Sequence, residues 1–174
     1  MPAVPTPRTW AVNDNLSAAR LNTELRDMAN FALEPPWCRL TRASTLPLTT
    51  GTYTVLTWPT ETSDTYSLHD PTQPSRINIA YDGEYELISL VSIAANTTGV
   101  RGIQWRKNAA GNPGSGTLIG ETHWYQPLTG SLTQPDVQYD RLTEGDHVEV
   151  FNYQNSGTTL NANPGWAIIR WTGR

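Results

Sequence analysis

Pro35-Pro36 divides the chain into two stretches with different periodicities. In front of it, within 17–36 ("SAARLNTELRDMANFALEPP"), Ala18, Leu21, Leu25, Met28 and Ala32 recur at 3-4-3-4 spacing. That spacing places one apolar stripe along a helix. Ser17 or Asn15 supplies a cap for its start. Glu34 ends it, because a proline drives its predecessor out of the α region. At 1.5 Å per residue the expected rod over 17–34 is about 27 Å long. A helix this short is marginal alone in water, so its stripe of Leu21, Leu25 and Met28 must bury against something.

Behind the double proline the pattern becomes short runs rich in β-branched and aromatic residues, broken by turn signals. "WCRLTRAS", "GTYTVLTWP", "RINIAY", "YELISLVSIAA", "VRGIQWRKN", "TLIGETHWYQPL", "SLTQPDVQYDRL", "HVEVFNYQN" and "WAIIRWTG" read as strands. "ETSDTYSLHDPTQPS" reads as a polar loop, and "DGEY", "NTTG" and "EGD" read as turns. About nine or ten strands without a further helix predict a two-sheet sandwich of the jelly-roll kind. The fold class expected is therefore mainly β, preceded by an extended arm and one short α-helix. The expected division is 1–36, arm plus helix, and 37–174, β head.

The first twelve residues carry three prolines in "PAVPTP" and then "RTWAV". Proline fixes φ and removes a donor, so this stretch is an extended arm, either disordered or laid along a neighbour. We take it as an attachment arm, with Pro5, Pro7 and Trp10 as its contact residues.

Two strands are apolar on both faces. Tyr85, Leu87, Val91 and Ile93 alternate on one side of their strand, with Ile88 and Leu90 on the other. Val148 and Val150 oppose Phe151 and Tyr153 in the same way. A sandwich strand with one wet face alternates cleanly, so a second apolar face calls for a second cover. A subunit interface drawing on Tyr85, Ile88, Leu90, Phe151 and Tyr153 is expected.

Several chemistries find no support. Twelve scattered Lys and Arg against sixteen Asp and Glu, a net charge of −4, give no phosphate-binding patch, so no nucleic-acid partner is expected. The N-terminus lacks a secretory h-region, and no apolar run approaches the roughly 20 residues of a membrane span. The single cysteine, Cys38, cannot form an intrachain disulfide and reads as a buried small hydrophobe. His69, His123 and His147 lie in no metal-binding spacing, and Ser115 lacks the frame of a nucleophile elbow. His69 and Asp70 in "LHDP", beside Asp64, are expected to form a hydrogen-bonded loop rather than a metal or proton site. No catalytic residue, cofactor or metal is expected. Trp58, Tyr66, Trp124 and Tyr125 are the aromatics most apt to stack on a sugar, with core or interface packing as the alternative.

The order of features from 37 to 173 resembles the TNF-like jelly roll, the family that includes the complement globular heads. The carrying pieces are "DGEYELISLVSIA" with its Gly-x-Tyr opening, "GIQWRKN" running into an Asn turn, "LTEGDHVEVFNYQNSG", and the aromatic last strand "GWAIIRW". The resemblance implies a ten-stranded jelly roll and a homotrimer. The family's calcium ligands do not map onto this sequence. The front segment is similar to the N-termini of tailed-phage structural proteins, above all those of actinobacteriophages, through Trp10, Leu21, Asn22, Arg26, Asp27, Pro35 and Pro36. Together the resemblances imply a non-enzymatic virion protein, made in the host cytoplasm and displayed on the particle exterior. It would be a trimeric capsid decoration or head-fibre protein, held to the major capsid protein or a tail protein through 1–36. The alternative is a minor tail protein whose head binds a host-surface glycan. A glycan-cleaving enzyme, a third class, would need paired carboxylates that no spacing here suggests.

Overall fold

The computed structural model describes residues 8–15, 17–125 and 130–173. The helical segment runs as α1 (Ala18–Leu21), a π-helical stretch (Asn22–Arg26) and α2 (Asp27–Leu33). Ser17 caps it, its hydroxyl oxygen accepting from Arg20 N at 3.3 Å. Glu34 leaves the helix just ahead of the prolines, as expected. The π stretch was not foreseen. It widens the helix by a residue per turn, and so rotates Met28 away from the line that plain α geometry draws through Leu21 and Leu25.

Eleven strands follow: β1 Trp37–Arg42, β2 Leu46–Leu48, β3 Thr52–Val55, β4 Thr60–Asp64, β5 Ile77–Asn78, β6 Gly83–Ile93, β7 Val100–Lys107, β8 Thr117–Tyr125, β9 Leu132–Leu142, β10 His147–Gln154 and β11 Leu160–Gly173. One sheet has the order β4-β1-β11-β6-β9, with β2 also on β11. The other has the order β3-β10-β7-β8, with β5 also on β10. All pairs are antiparallel. The chain changes sheet between β6 and β7, and again at each step from β8 to β11. It is a jelly-roll sandwich preceded by a short helical segment.

The core is the inner-face set of both sheets. Tyr85, Leu87, Val91 and Ile93 of β6 meet Ile103 and Trp105 of β7 and Val148 and Val150 of β10, with Leu40 and Ile169 beside them; all are at most 2 % exposed. Each such aliphatic or aromatic side chain contributes about 1.5–3 kcal/mol by leaving water. Gly83 opens β6 where it does because the Trp171 indole lies against it, too close for any Cβ. That indole donates to Asp82 O at 3.1 Å. The Gly-x-Tyr opening is thus a packing requirement: a gap for Trp171, then Tyr85 in the core.

One sequence reading is corrected. The stretch from Glu61 to Asp64, taken as loop, is most of β4, an edge strand paired with β1. It is polar because an edge strand with no covering layer gains nothing from apolar residues. Pro135 also sits on an edge strand, β9, where a missing donor is tolerated.

Residues 8–15 do not run out as an extended arm. Arg8 donates to Glu24 Oε1 at 3.0 Å, pairs with Asp14 at 3.4 Å, and lies 5.4 Å above the Trp10 ring. Ala11 N donates to Asp14 at 2.9 Å. The opposite charges of Arg8 and Glu24 fold this stretch back on its own helix. Pro5 and Pro7 lie outside the described residues.

Candidate subunit-interaction face

Residues that alternate out of the sandwich on the six-stranded sheet form a continuous row across three strands. The register sets Ile88 of β6 opposite Ile168 of β11 and Val137 of β9, and Leu90 opposite Trp166 and Pro135. Val137 is 45 % exposed, Tyr139 is 66 % exposed, and Ile88, Leu90, Trp166 and Ile168 are half-buried. No loop of the described chain covers them.

Polar groups frame this apolar strip. Arg39 of β1 lies 5.5 Å from the Trp166 ring, a cation–π contact. Glu86 accepts from the Tyr139 hydroxyl at 2.6 Å and pairs with Arg170 at 2.5 Å. The Tyr139 bond first, then Arg170, hold the Glu86 carboxyl below the usual carboxylate range against the opposing effect of burial. Arg141 pairs with Glu84 at 3.2 Å at the far end.

The expected interface residues separate into three places. Ile88 and Leu90 stand on this face. Tyr85 does not: its ring is fully buried between the sheets and its hydroxyl donates to Tyr81 O at 2.8 Å, so it has no surface to offer a partner. Phe151 and Tyr153 alternate out of the other sheet, on the opposite side of the sandwich. Phe151 is already fully buried within one chain, while Tyr153 is half-buried. Trp166, Ile168, Val137 and Tyr139 were missed. Their signal was the two-residue alternation of "WAIIRW" and "DVQY", visible only once inner and outer faces are assigned.

The helix stripe is largely uncovered by the described residues. Leu21 is 38 % and Leu25 47 % exposed, Met28 is half-buried, and Trp10 is 37 % exposed. What the helix does bury is Phe31, which sequence reading passed over. Its ring stands edge-on to Tyr66, Tyr81 and Trp171, with centroids 5.1–6.0 Å away. The last turn of the helix therefore packs on the β head.

The four sugar-stacking candidates are scattered. Trp58 is fully buried in the core and cannot meet a ligand; a large indole inside a sandwich is worth more as packing than as surface. Tyr66 belongs to the Phe31 cluster, and Trp124 is partly buried against the core. Tyr125 is 79 % exposed at the end of β8.

The polar candidates are bonded locally, except the buried His69 ring, whose two nitrogens have no hydrogen-bond partner among the described residues. His69 N and Tyr66 N both donate to Asp64, and Asp70 accepts from Thr72, so "LHDP" is a hydrogen-bonded loop. The Ser115 hydroxyl donates to Ala109 O at 2.5 Å. Glu149, fully buried, accepts from the Ser75 hydroxyl at 2.7 Å and Gly111 N at 2.9 Å, and so ties two loops onto the second sheet. Its neighbour His147 is pushed down by burial and then by Arg76. Among the described residues no three His, Cys, Asp or Glu side chains are grouped to hold a metal ion. No helix there is long and apolar enough to cross a membrane.

No family model matches the sequence, and no curated protein matches it. Solved structures do match in fold. The crystal structure of murine APRIL at pH 5.0 superposes with a TM-score of 0.58 at 14 % identity, covering 78 % of this chain and 98 % of the chain in that structure. The globular domain of zebrafish complement 1qA protein superposes at 0.55 with 13 % identity, covering 77 % of this chain and 93 % of that domain. The class defined by topology is the jelly-roll sandwich. Within it, the chain has the fold shared by the TNF-like proteins and the complement globular heads.

Proposed function

We propose that this chain is a non-enzymatic structural protein on the exterior of a bacteriophage particle, a homotrimeric capsid decoration or head-fibre protein. The observation that carries self-association is the uncovered strip Ile88, Leu90, Val137, Trp166 and Ile168 on the six-stranded sheet. A contiguous apolar face with polar margins marks an interaction site on a soluble protein. Particle attachment is assigned to residues 1–36, from the exposed Leu21 and Leu25 and from the similarity of Trp10, Leu21, Asn22, Arg26, Asp27 and Pro35-Pro36 to phage anchor segments.

Sedimentation velocity of the full chain at micromolar concentration tests the first half, with a trimer expected and a monomer refuting it. Immunogold labelling of particles grown with the tagged chain tests the second. Hundreds of copies per particle mean capsid, a few dozen at one vertex mean tail, and none removes the virion role.

A further inference from the structure

The outward face of the second sheet, opposite the proposed subunit face, is built in two halves. At one end the Glu149 clasp holds the loops of Ser75 and Gly111 over the strands. At the other end no loop of the described residues lies over the sheet, and three rings form a tile across four strands. Tyr53 of β3 is paired with Tyr153 of β10, and their ring centroids lie 4.8 Å apart. Tyr153 is paired with Gly102 of β7, which is paired in turn with His123 of β8. The His123 and Tyr153 rings lie 6.2 Å apart at 29°.

Gly102 makes the tile continuous. A Cβ there would collide with the His123 ring, so the missing side chain lets the imidazole lie over the β7 backbone and reach Tyr153. Polar groups line one edge. Glu121 Oε1 receives the Tyr53 hydroxyl and lies 2.8 Å from His123 Nε2. Glu121 Oε2 receives no hydrogen bond from the described residues. All four side chains stand on paired strands, so little ordering remains to be done when a ligand arrives.

We infer that Tyr53, Tyr153, His123 and Glu121 form a binding site for a neutral, polyhydroxylated ring, the chemistry of an uncharged pyranose. Flat ring faces receive the C–H side of a sugar. The free carboxylate oxygen accepts from its hydroxyls, a charge-assisted bond stronger than a neutral one. The charge within the four is the Glu121 carboxylate, which opposes phosphorylated, sulfated and uronic ligands, while the Arg106 guanidinium near Tyr53 is engaged with Ser115 O at 3.0 Å. The site lies within one chain, and so stands or falls apart from trimer formation and particle attachment.

The test is saturation-transfer difference NMR on the full chain with millimolar methyl pyranosides of glucose, galactose, mannose, rhamnose and N-acetylglucosamine. At least one should show ring-proton transfer, with affinity lowered tenfold or more by Tyr153→Ala and by Glu121→Gln. Thr23→Ala, an exposed helix position away from both sheets, should leave it unchanged. Tyr153→Phe keeps the ring and should retain binding, which separates a lost contact from a lost fold. Circular dichroism melting curves of each variant check the fold directly. No transfer from any sugar, transfer indifferent to both tile variants, or preferential binding of benzyltrimethylammonium or of an anionic sugar would each overturn the inference.

Discussion

The Phe31 ring stands 5.1 Å from the Trp171 ring at an interplanar angle of 77°. One residue is in the helix and the other in the final strand, so the contact joins the two ends of the described chain. Trp171 N also donates to Pro36 O at 2.8 Å, which holds the double-proline corner against the same strand. The helical segment is therefore seated on the head at its C-terminal turn, and points an uncovered Leu21–Leu25 surface elsewhere.

That seat is measurable. Phe31→Ala should destabilise the chain by about 3 kcal/mol, the lower end for loss of a buried phenyl ring. Deleting everything before Trp37 should leave a folded β head with a lower melting temperature, because Tyr66, Tyr81 and Trp171 lose their cover. Deletion only through Asn15 should leave the melting temperature nearly intact. Equal melting curves for Phe31→Ala and the parent would show that the ring does not hold the helix to the head.

The two outward faces call for different substitutions. Phe151→Asp would bury a charge in the chain's own packing and unfold it, whatever its oligomeric state. Ile88→Asp and Val137→Asp place the charge on the uncovered strip instead. Each should give a folded monomer, with the melting curve preserved apart from the share due to assembly. A trimer persisting in both variants by sedimentation would move the interface off this sheet.

Much of this architecture is legible in the sequence. The Gly83–Tyr85 opening, the alternation of Leu87, Val91 and Ile93, and the apolar pair Val148 and Val150 place β6 and β10 directly, but two apolar faces leave open which one turns inward, and Tyr85, expected at an interface, lies in the core. The helix limits follow from Ser17 and Pro35. What escapes has physical causes. The β4 strand is polar because it is an uncovered edge. Phe31 lies off the stripe that periodicity picks out, and its partners at 66, 81 and 171 become neighbours only in the fold. The Tyr53–His123 tile joins residues 30 to 100 positions apart through a register that no local pattern encodes. Trp58 shows the converse error, since an aromatic near a predicted strand end looks exposed until the loop after it closes over.

Glu86 makes a pH dependence predictable. The Tyr139 hydroxyl and Arg170 hold its carboxyl below the usual range in the folded chain. In the unfolded chain it returns to a value near 4.3. The folded state thus binds fewer protons, and the stabilisation is fully present above the unfolded value and lost as pH falls through the lower folded one. Melting temperature should fall from pH 5 toward pH 3, and Tyr139→Phe and Glu86→Gln should each flatten that fall. If Glu86→Gln retains the parent's full slope, the acid sensitivity belongs to other carboxylates.

The exposed helix surface supplies the sharpest test of attachment. Leu25 is 47 % exposed, and in an isolated chain its loss should change stability by only a few tenths of a kcal/mol. If particle docking or helix–helix contact covers it, Leu25→Ala should remove about 1.5–3 kcal/mol from each copy on assembly. Glu24 is a poor control, because Arg8 donates to it and its removal would free the stretch that folds back on the helix. Thr23 is the better one: it is exposed, and its hydroxyl donates to Ala19 O within the helix. Incorporation of purified chain into particles lacking it should drop at least tenfold for Leu25→Ala and hardly change for Thr23→Ala, while the two unassembled variants melt alike. Indistinguishable incorporation would mean that this stripe faces solvent in the particle as it does in the chain, and attachment would then have to be sought in another surface.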